Sequence, residues 1–196
     1  MFELLKKLET KIVLIDEGPD VRAYLGLKVE KSESSGTIKI SQPALITRIL
    51  EVLSLDGNEA TKMHDTLAVK TLTIDEDGET RKSEWSYRSV IGMLMYLASS
   101  TQPDILFAVH QCAKYSSNPK LSHDEGVKRI GRYLKKIRLM GMIYKPDGSN
   151  QLDCYVDADF AGCFVHDMSH LKASVLSRTG YVIFLCGCTI VFKSQM

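Results

Sequence analysis

Several things are scarce in this chain, and each scarcity removes a class of function. None of its apolar runs, over 196 residues, approaches the roughly 20 needed to cross a bilayer as a helix. The opening MFELLKKLETK mixes acids and bases and lacks the apolar centre of a secretory signal, so no membrane partner is expected. Formal net charge is only +1, which leaves no global field to attract polyanions; any basic surface must be local. Cysteine is sparse and odd in number, five in all, and its spacing is irregular, which argues for a reducing compartment over a disulfide scaffold. There is no Gly-rich phosphate loop and no nucleophile elbow. What remains is 44% hydrophobic and 25% charged, an ordinary globular composition, long enough for one large domain or two small ones.

Hydrophobic periodicity divides the chain. Residues 11–41 read as strands: KIVLID is a short apolar run. In RAYLGLKVE, Ala23, Leu25, Leu27 and Val29 alternate with Arg22, Tyr24, Lys28 and Glu30 across a glycine. SESSG is a turn and GTIKIS returns, which predicts a β-hairpin. Pro43 opens a helix with apolar positions Leu45, Ile46, Ile49, Leu50 and Leu53. Residues 56–83 are polar and unpatterned and read as a long loop. Three helical segments follow: EWSYRSVIGMLMYLASS, PDILFAVHQCAKYSS and SHDEGVKRIGRYLKKIRLM. Pro103 starts the second, and Ser122 with Glu125 predicts a capping box for the third. After Gly141 the period returns to two. MIYK and QLDCYVDADF are expected to pair around PDGSN, and RTGYVIFL with TIVFKS around Cys186-Gly187-Cys188. This order of elements predicts an α+β fold.

Two helical faces carry candidate binding residues. On a wheel, Tyr87, Val90, Ile91, Leu94, Leu97 and Ala98 share one side, while Arg88, Gly92 and Tyr96 line the other at i, i+4 and i+8. A mid-helix glycine costs about 1 kcal/mol against alanine, so something approaches the backbone there. That something is either a crossing helix or a nucleic-acid groove with Arg88 and Tyr96 as its rims. In the third segment Val127, Ile130, Leu134 and Ile137 form the expected buried stripe. Lys128, Arg129, Arg132, Lys135 and Lys136 lie opposite, with no acid between Gly126 and Lys145. A solvated face explains this, and so does a surface for phosphates. Gly131 weakens this helix as well.

The stretch YVDADFAG raises the question of metal. Cys163, His166 and His170 have C-x2-H-x3-H spacing, but the second half-site of a zinc finger is absent, and a loop with incidental ligands is the simpler reading. In the strand, Leu152, Cys154 and Val156 face one way and Asp153, Tyr155, Asp157 and Asp159 the other. The alanine between the last two aspartates disfavours the adjacent-aspartate motif of polymerases. An edge strand with an acidic solvent face and a first catalytic strand of the ribonuclease H type are the alternatives.

Taken in order, these blocks resemble the copia-type retrotransposon Pol polyprotein. YLGLKVE…GTIKISQPALITRILE resembles the family's stretch after the polymerase aspartates. YRSVIGMLMYLASSTQPDILFAV, the SNP-x3-H segment, KRIGRYLK and GMIY resemble the next family block. DADFAG…SRTGYVIFL…KS resembles the opening of its ribonuclease H domain. The resemblance implies a β-hairpin and a helical thumb-like region followed by a truncated ribonuclease H-like sheet. It divides the chain into residues 1–70, the end of the reverse transcriptase palm and its following helix; 84–140, the thumb and connection; and 141–196, the start of ribonuclease H. RAYLGLKVE is then a primer-grip hairpin. Arg88, Gly92 and Tyr96 lie where a thumb helix tracks a duplex minor groove, and Lys128, Arg132 and Lys135 add phosphate contacts. Asp157 matches the first ribonuclease H metal ligand, with Asp159 beside it, and Mg2+ is the cofactor of the intact parent.

The partners so implied are an RNA–DNA or DNA duplex and the rest of the polyprotein, in the cytoplasm, a virus-like particle or the nucleus. The paired polymerase aspartates are expected before residue 1, and the ribonuclease H glutamate and later aspartates after residue 196. Gln102 stands for a usual arginine, Phe192 for a usual tryptophan, and CFVHDMSHLKASVLS is a longer loop than many members carry. The expectation is a chain inactive alone. Its hairpin at 175–194 is expected to expose a sheet edge, leaving 142–196 marginally stable or dimerised through that edge.

Overall fold

A computed structural model describes residues 22–57, 72, 75, 77–159 and 177–195, with the backbone alone at Asp159. KIVLID, most of the long loop, and the segment with Cys163, His166 and His170 lie outside the described residues.

RAYLGLKVE is two strands, not one. β1 (Ala23–Tyr24) and β2 (Leu27–Ser32) pair through Tyr24↔Leu27, and Leu25–Gly26 form the turn between them. Both turn residues have positive φ, 49° and 77°, as the two-residue turn that matches strand twist requires. The apolar alternation runs through Leu25 and hides the break, although Leu25 is 71% exposed. β3 (Thr37–Ser41) completes the expected hairpin, with Val29 opposite Ile40.

A second correction concerns MIYK. β4 (Met142–Tyr144) does not pair with QLDCYVDADF; it joins β3, with Met142 opposite Ile40 and Tyr144 opposite Ile38. Gly141 allows this. A Cβ there would collide with the Ile40 carbonyl oxygen, so only glycine lets the chain return so close to β3.

The helices form as the periodicity predicts. α1 (Pro43–Val52) begins on its proline; α2 (Tyr87–Ser100) is capped by Ser86, whose Oγ accepts from the Ser89 N–H. A 3-10 turn at Pro103–Ile105 leads into α3 (Leu106–Ala113). α4 (Leu121–Ile137) starts one residue before the expected cap. Its reciprocal contact comes from His123, whose Nδ1 accepts the Lys120 N–H at 2.9 Å, while Ser122 donates to Asp75 instead. Stacking of His123 on Tyr115, with ring centroids 4.2 Å apart, fixes that imidazole. One core unites the four helices, with Ile46, Ile49, Leu94, Leu97, Ile130 and Leu134 at or near full burial. Each such side chain contributes about 1.5–3 kcal/mol relative to exposure. Arg81 ties the approach to α2 onto α4: its Nε donates to Asp124 at 2.6 Å and its guanidinium lies over the Trp85 ring.

The second sheet has the order β5 (Leu152–Asp159), β6 (Arg178–Leu185), β7 (Cys188–Gln195), all antiparallel. Its β6–β7 hairpin is the one expected, closed by Cys186–Gly187, again both at positive φ. Phe192 packs against the helical core, and the Asp147 N–H donates to the Cys186 carbonyl, so the sheet is docked. The molecule is α+β, with helices and two antiparallel sheets.

Candidate functional site

The face of α2 is the first candidate. Arg88, Gly92 and Tyr96 are all exposed, spread over roughly 12 Å of helix axis at 1.5 Å per residue. A Cβ at Gly92 would meet nothing within 4 Å, so among the described residues no helix crosses there. The two rims are tied to neighbours. Arg88 Nε donates to the Ser116 carbonyl at 3.0 Å. Tyr96 donates its hydroxyl to the Leu25 carbonyl at 2.5 Å, which brings the β1–β2 turn to the same face. Tyr24 and Leu25 stand beside it, 62% and 71% exposed. The β1–β2 turn was invisible as a neighbour of α2 in the sequence, because no spacing rule joins residues so far apart.

α4 presents the basic face. Its buried stripe is Val127, Ile130, Leu134 and Ile137, as expected, joined by His123, Asp124 and Gly131. Lys128, Arg129, Arg132 and Lys135 are half-buried rather than fully solvated. Lys135 Nζ donates to the Gly57 carbonyl at 2.7 Å, and Tyr133 donates to Asp104 at 2.6 Å. Burial, then the Asp104 hydrogen bond and charge, push the Tyr133 phenol up to about 12. An acid from another element therefore adjoins a face that looks purely basic in the sequence. Gly131 has a packing reason: a Cβ there would lie 2.7 Å from Leu55 Cδ1 and 2.8 Å from Leu53 Cδ1.

The third candidate is β5. Asp157 is exposed and stands opposite Gly180, and Asp159 stands opposite Arg178. Arg178 shares the Asp157 face by the two-residue period and is 8% exposed. Its Nη1 donates to Ser194 Oγ at 2.8 Å, lies 3.3 Å from His110 Nδ1, and its guanidinium sits 4.9 Å from the Phe107 ring centre. Burial first, and then Arg178, lower the His110 pKa below the usual imidazole range. A cleft of about 500 Å³ opens here between Pro103–Phe107 and the sheet, lined by Tyr155, Asp157, Val182 and Phe192. Neither Arg178 nor His110 was a candidate from sequence, since an arginine opening an apolar strand looks like a solvent-facing end.

A pair of divalent ions needs several oxygen ligands. On the same face as Asp157, the neighbouring strand contributes the Arg178 guanidinium, a cation, at the register position of Asp159. Among the described residues no group of three or more His, Cys, Asp and Glu side chains comes together. The described side chains do not fit such a pair. Gln102, expected as a lost charge, is buried and donates to the Met140 carbonyl at 3.2 Å, where a guanidinium would be desolvated.

Comparison with known proteins gives transposon relatives. The chain is 32% identical over 188 residues to the retrovirus-related Pol polyprotein from transposon TNT 1-94 of Nicotiana tabacum, covering 92% of this chain and 13% of that one. It is 25% identical over 195 residues to a transposon Ty5-1 protein of Saccharomyces cerevisiae, covering 100% and 60%. Over 109 residues it is 35% identical to the retrovirus-related Pol polyprotein from transposon RE1 of Arabidopsis thaliana, 56% of this chain and 7% of that one. The chain thus spans less than two thirds of each of these relatives. No family profile matches it, and neither does a solved structure.

Proposed function

Because the chain belongs to the retrovirus-related Pol polyproteins of transposons, we propose that it carries the closing part of a reverse transcriptase and the opening part of a ribonuclease H. Its own activity in this reading is to hold nucleic-acid duplexes. The β1–β2 hairpin is the primer grip, α2–α4 the thumb and connection, and β5–β7 the first strands of the ribonuclease H sheet. The observation that carries the proposal is the open face of α2: a mid-helix glycine with nothing above it among the described residues, between an arginine and a tyrosine. Close approach of a groove accounts for a glycine that no described neighbour requires. Lys128 and Arg132 on α4 supply the charge that phosphates need, and Lys135 adds to it.

The test is fluorescence anisotropy of a labelled RNA–DNA hybrid against the chain at several salt concentrations. Log affinity is expected to fall linearly with log salt, with a shallower slope for Lys128→Ala combined with Arg132→Ala. Binding indifferent to salt and to both substitutions overturns the reading.

Magnesium, in this reading, serves the parent enzyme, with Asp157 as one ligand and Asp159 beside it. The chain alone neither polymerises nor cleaves, because the described donors are too few for two ions. Hybrid cleavage by the isolated chain in magnesium or manganese, lost in Asp157→Asn, would contradict this. A second copy is the other proposed partner, since among the described residues β5 and β7 are the edge strands of their sheet. Sedimentation at rising concentration tests that pairing, and a monomer throughout excludes it.

A further inference from the structure

We propose that Tyr96 is a positioning residue that does not itself read the duplex. Its hydroxyl holds the Leu25–Gly26 turn against α2, so that the Leu25 side chain and the gap over Gly92 make one apolar surface for a duplex groove. This inference rests on the duplex-binding reading above. It differs in giving the contact to Leu25, and in assigning its partner the sugar and base-edge surface of a groove rather than phosphates.

Four observations carry it. The Tyr96 hydroxyl is already committed, donating to the Leu25 carbonyl at 2.5 Å. Leu25 has φ 49°, a left-handed conformation that a branched apolar side chain rarely adopts. The two-residue turn sets this conformation, and the Tyr96 hydroxyl bond adds a tertiary tie to it. Leu25 is nonetheless 71% exposed, with Tyr24 at 62%, so the turn spends its strain on placing apolar surface in solvent. Finally, Gly92 lies one helical turn before Tyr96 with no described residue within 4 Å of a Cβ there, so the turn and the gap lie on one face. The residues between Gly92 and Tyr96, Met93 to Met95, carry no charge, and Arg88 at the far end is engaged with Ser116. A surface of this kind meets the walls of a groove through contact and exclusion of water.

The experiment measures affinity of the full chain for a 20-base-pair RNA–DNA hybrid, with Tyr96→Phe, Leu25→Ala and the double variant. Thermal melts verify folding. Leu25→Asn serves as a further variant, because asparagine tolerates the left-handed conformation and keeps the turn while removing the apolar side chain. Tyr96→Phe and Leu25→Ala are each expected to weaken binding about 3–10-fold with the salt slope unchanged. The double variant is expected to bind no worse than Leu25→Ala alone, because the hydroxyl acts through Leu25. Without any duplex, Tyr96→Phe is expected to speed amide exchange at Gly26 and Leu27.

Losses that multiply in the double variant show that Tyr96 contacts the duplex itself and overturn the proposal. So do wild-type affinity in Leu25→Ala and Leu25→Asn, and unchanged exchange in Tyr96→Phe. If these variants bind as wild type while Lys128→Ala with Arg132→Ala still flattens the salt slope, only the positioning role falls. If the unmodified chain binds no duplex at low salt, the duplex reading falls and takes this one with it.

Discussion

Gly92 in α2 and Gly131 in α4 both sit near the middle of a helix, where glycine costs about 1 kcal/mol relative to alanine. At Gly131 the cost has a return inside the molecule: Leu53 and Leu55 pack where a Cβ would be. At Gly92 it has none among the described residues, for the space above is open. The two positions look identical in sequence, a glycine in an amphipathic helix. Only the neighbours separate a glycine kept for folding from one kept for an external partner, and that separation can be attacked experimentally.

The largest expected effect lies at the buried end of α4. Asp124→Ala leaves the Arg81 guanidinium, only 17% exposed, without its carboxylate, and should cost about 3–5 kcal/mol in urea unfolding. Next comes Gly131→Ala, expected to destabilise by about 1–3 kcal/mol, because both leucine tips must move in a filled core. The same substitution at Gly92 should do the reverse, stabilising by about 0.5–1 kcal/mol while weakening duplex affinity. If Gly92→Ala both stabilises and binds normally, the comparison loses its meaning. The smallest effect is at His110. Burial and Arg178 hold its pKa down, so above about 6.5 both folded and unfolded imidazoles are neutral and contribute no slope. As pH falls below that value the unfolded chain takes the proton first and stability declines. His110→Gln should flatten that decline, as read from melts at pH 7.5 and 5.5.

Much of this fold is legible in the sequence wherever contacts are local. The apolar stripes of α2 and α4, the start of α1 at Pro43 and the β6–β7 hairpin follow from periodicity and turn chemistry within a few residues. What fails is non-local or disguised. Alternation carried RAYLGLKVE through a turn, because Leu25 looks like one more inward residue while its φ is positive. MIYK went to the wrong partner, since register alone does not tell a strand which sheet to join, and Gly141 speaks only once Ile40 lies beside it. The cap of α4 moved because an imidazole did the work expected of a glutamate. Among the candidate residues, Arg88, Gly92 and Tyr96 share the face the wheel gave them. Leu25 and Arg178 enter only with tertiary structure, one brought by a hydrogen bond from a distant helix, the other buried against a histidine no spacing rule links to it.

The ladder between β3 and β4 has a bearing on how the chain is made. Ile40 and Met142 bracket all four helices, so their pairing closes a long loop, and loop-closure entropy delays it until the helical core has collapsed. On the ribosome, β3 therefore waits with one edge open while α1 through α4 emerge. A nascent chain stalled short of Met142 presents that edge, with Ile38 and Ile40 on it, to whatever other strand is near.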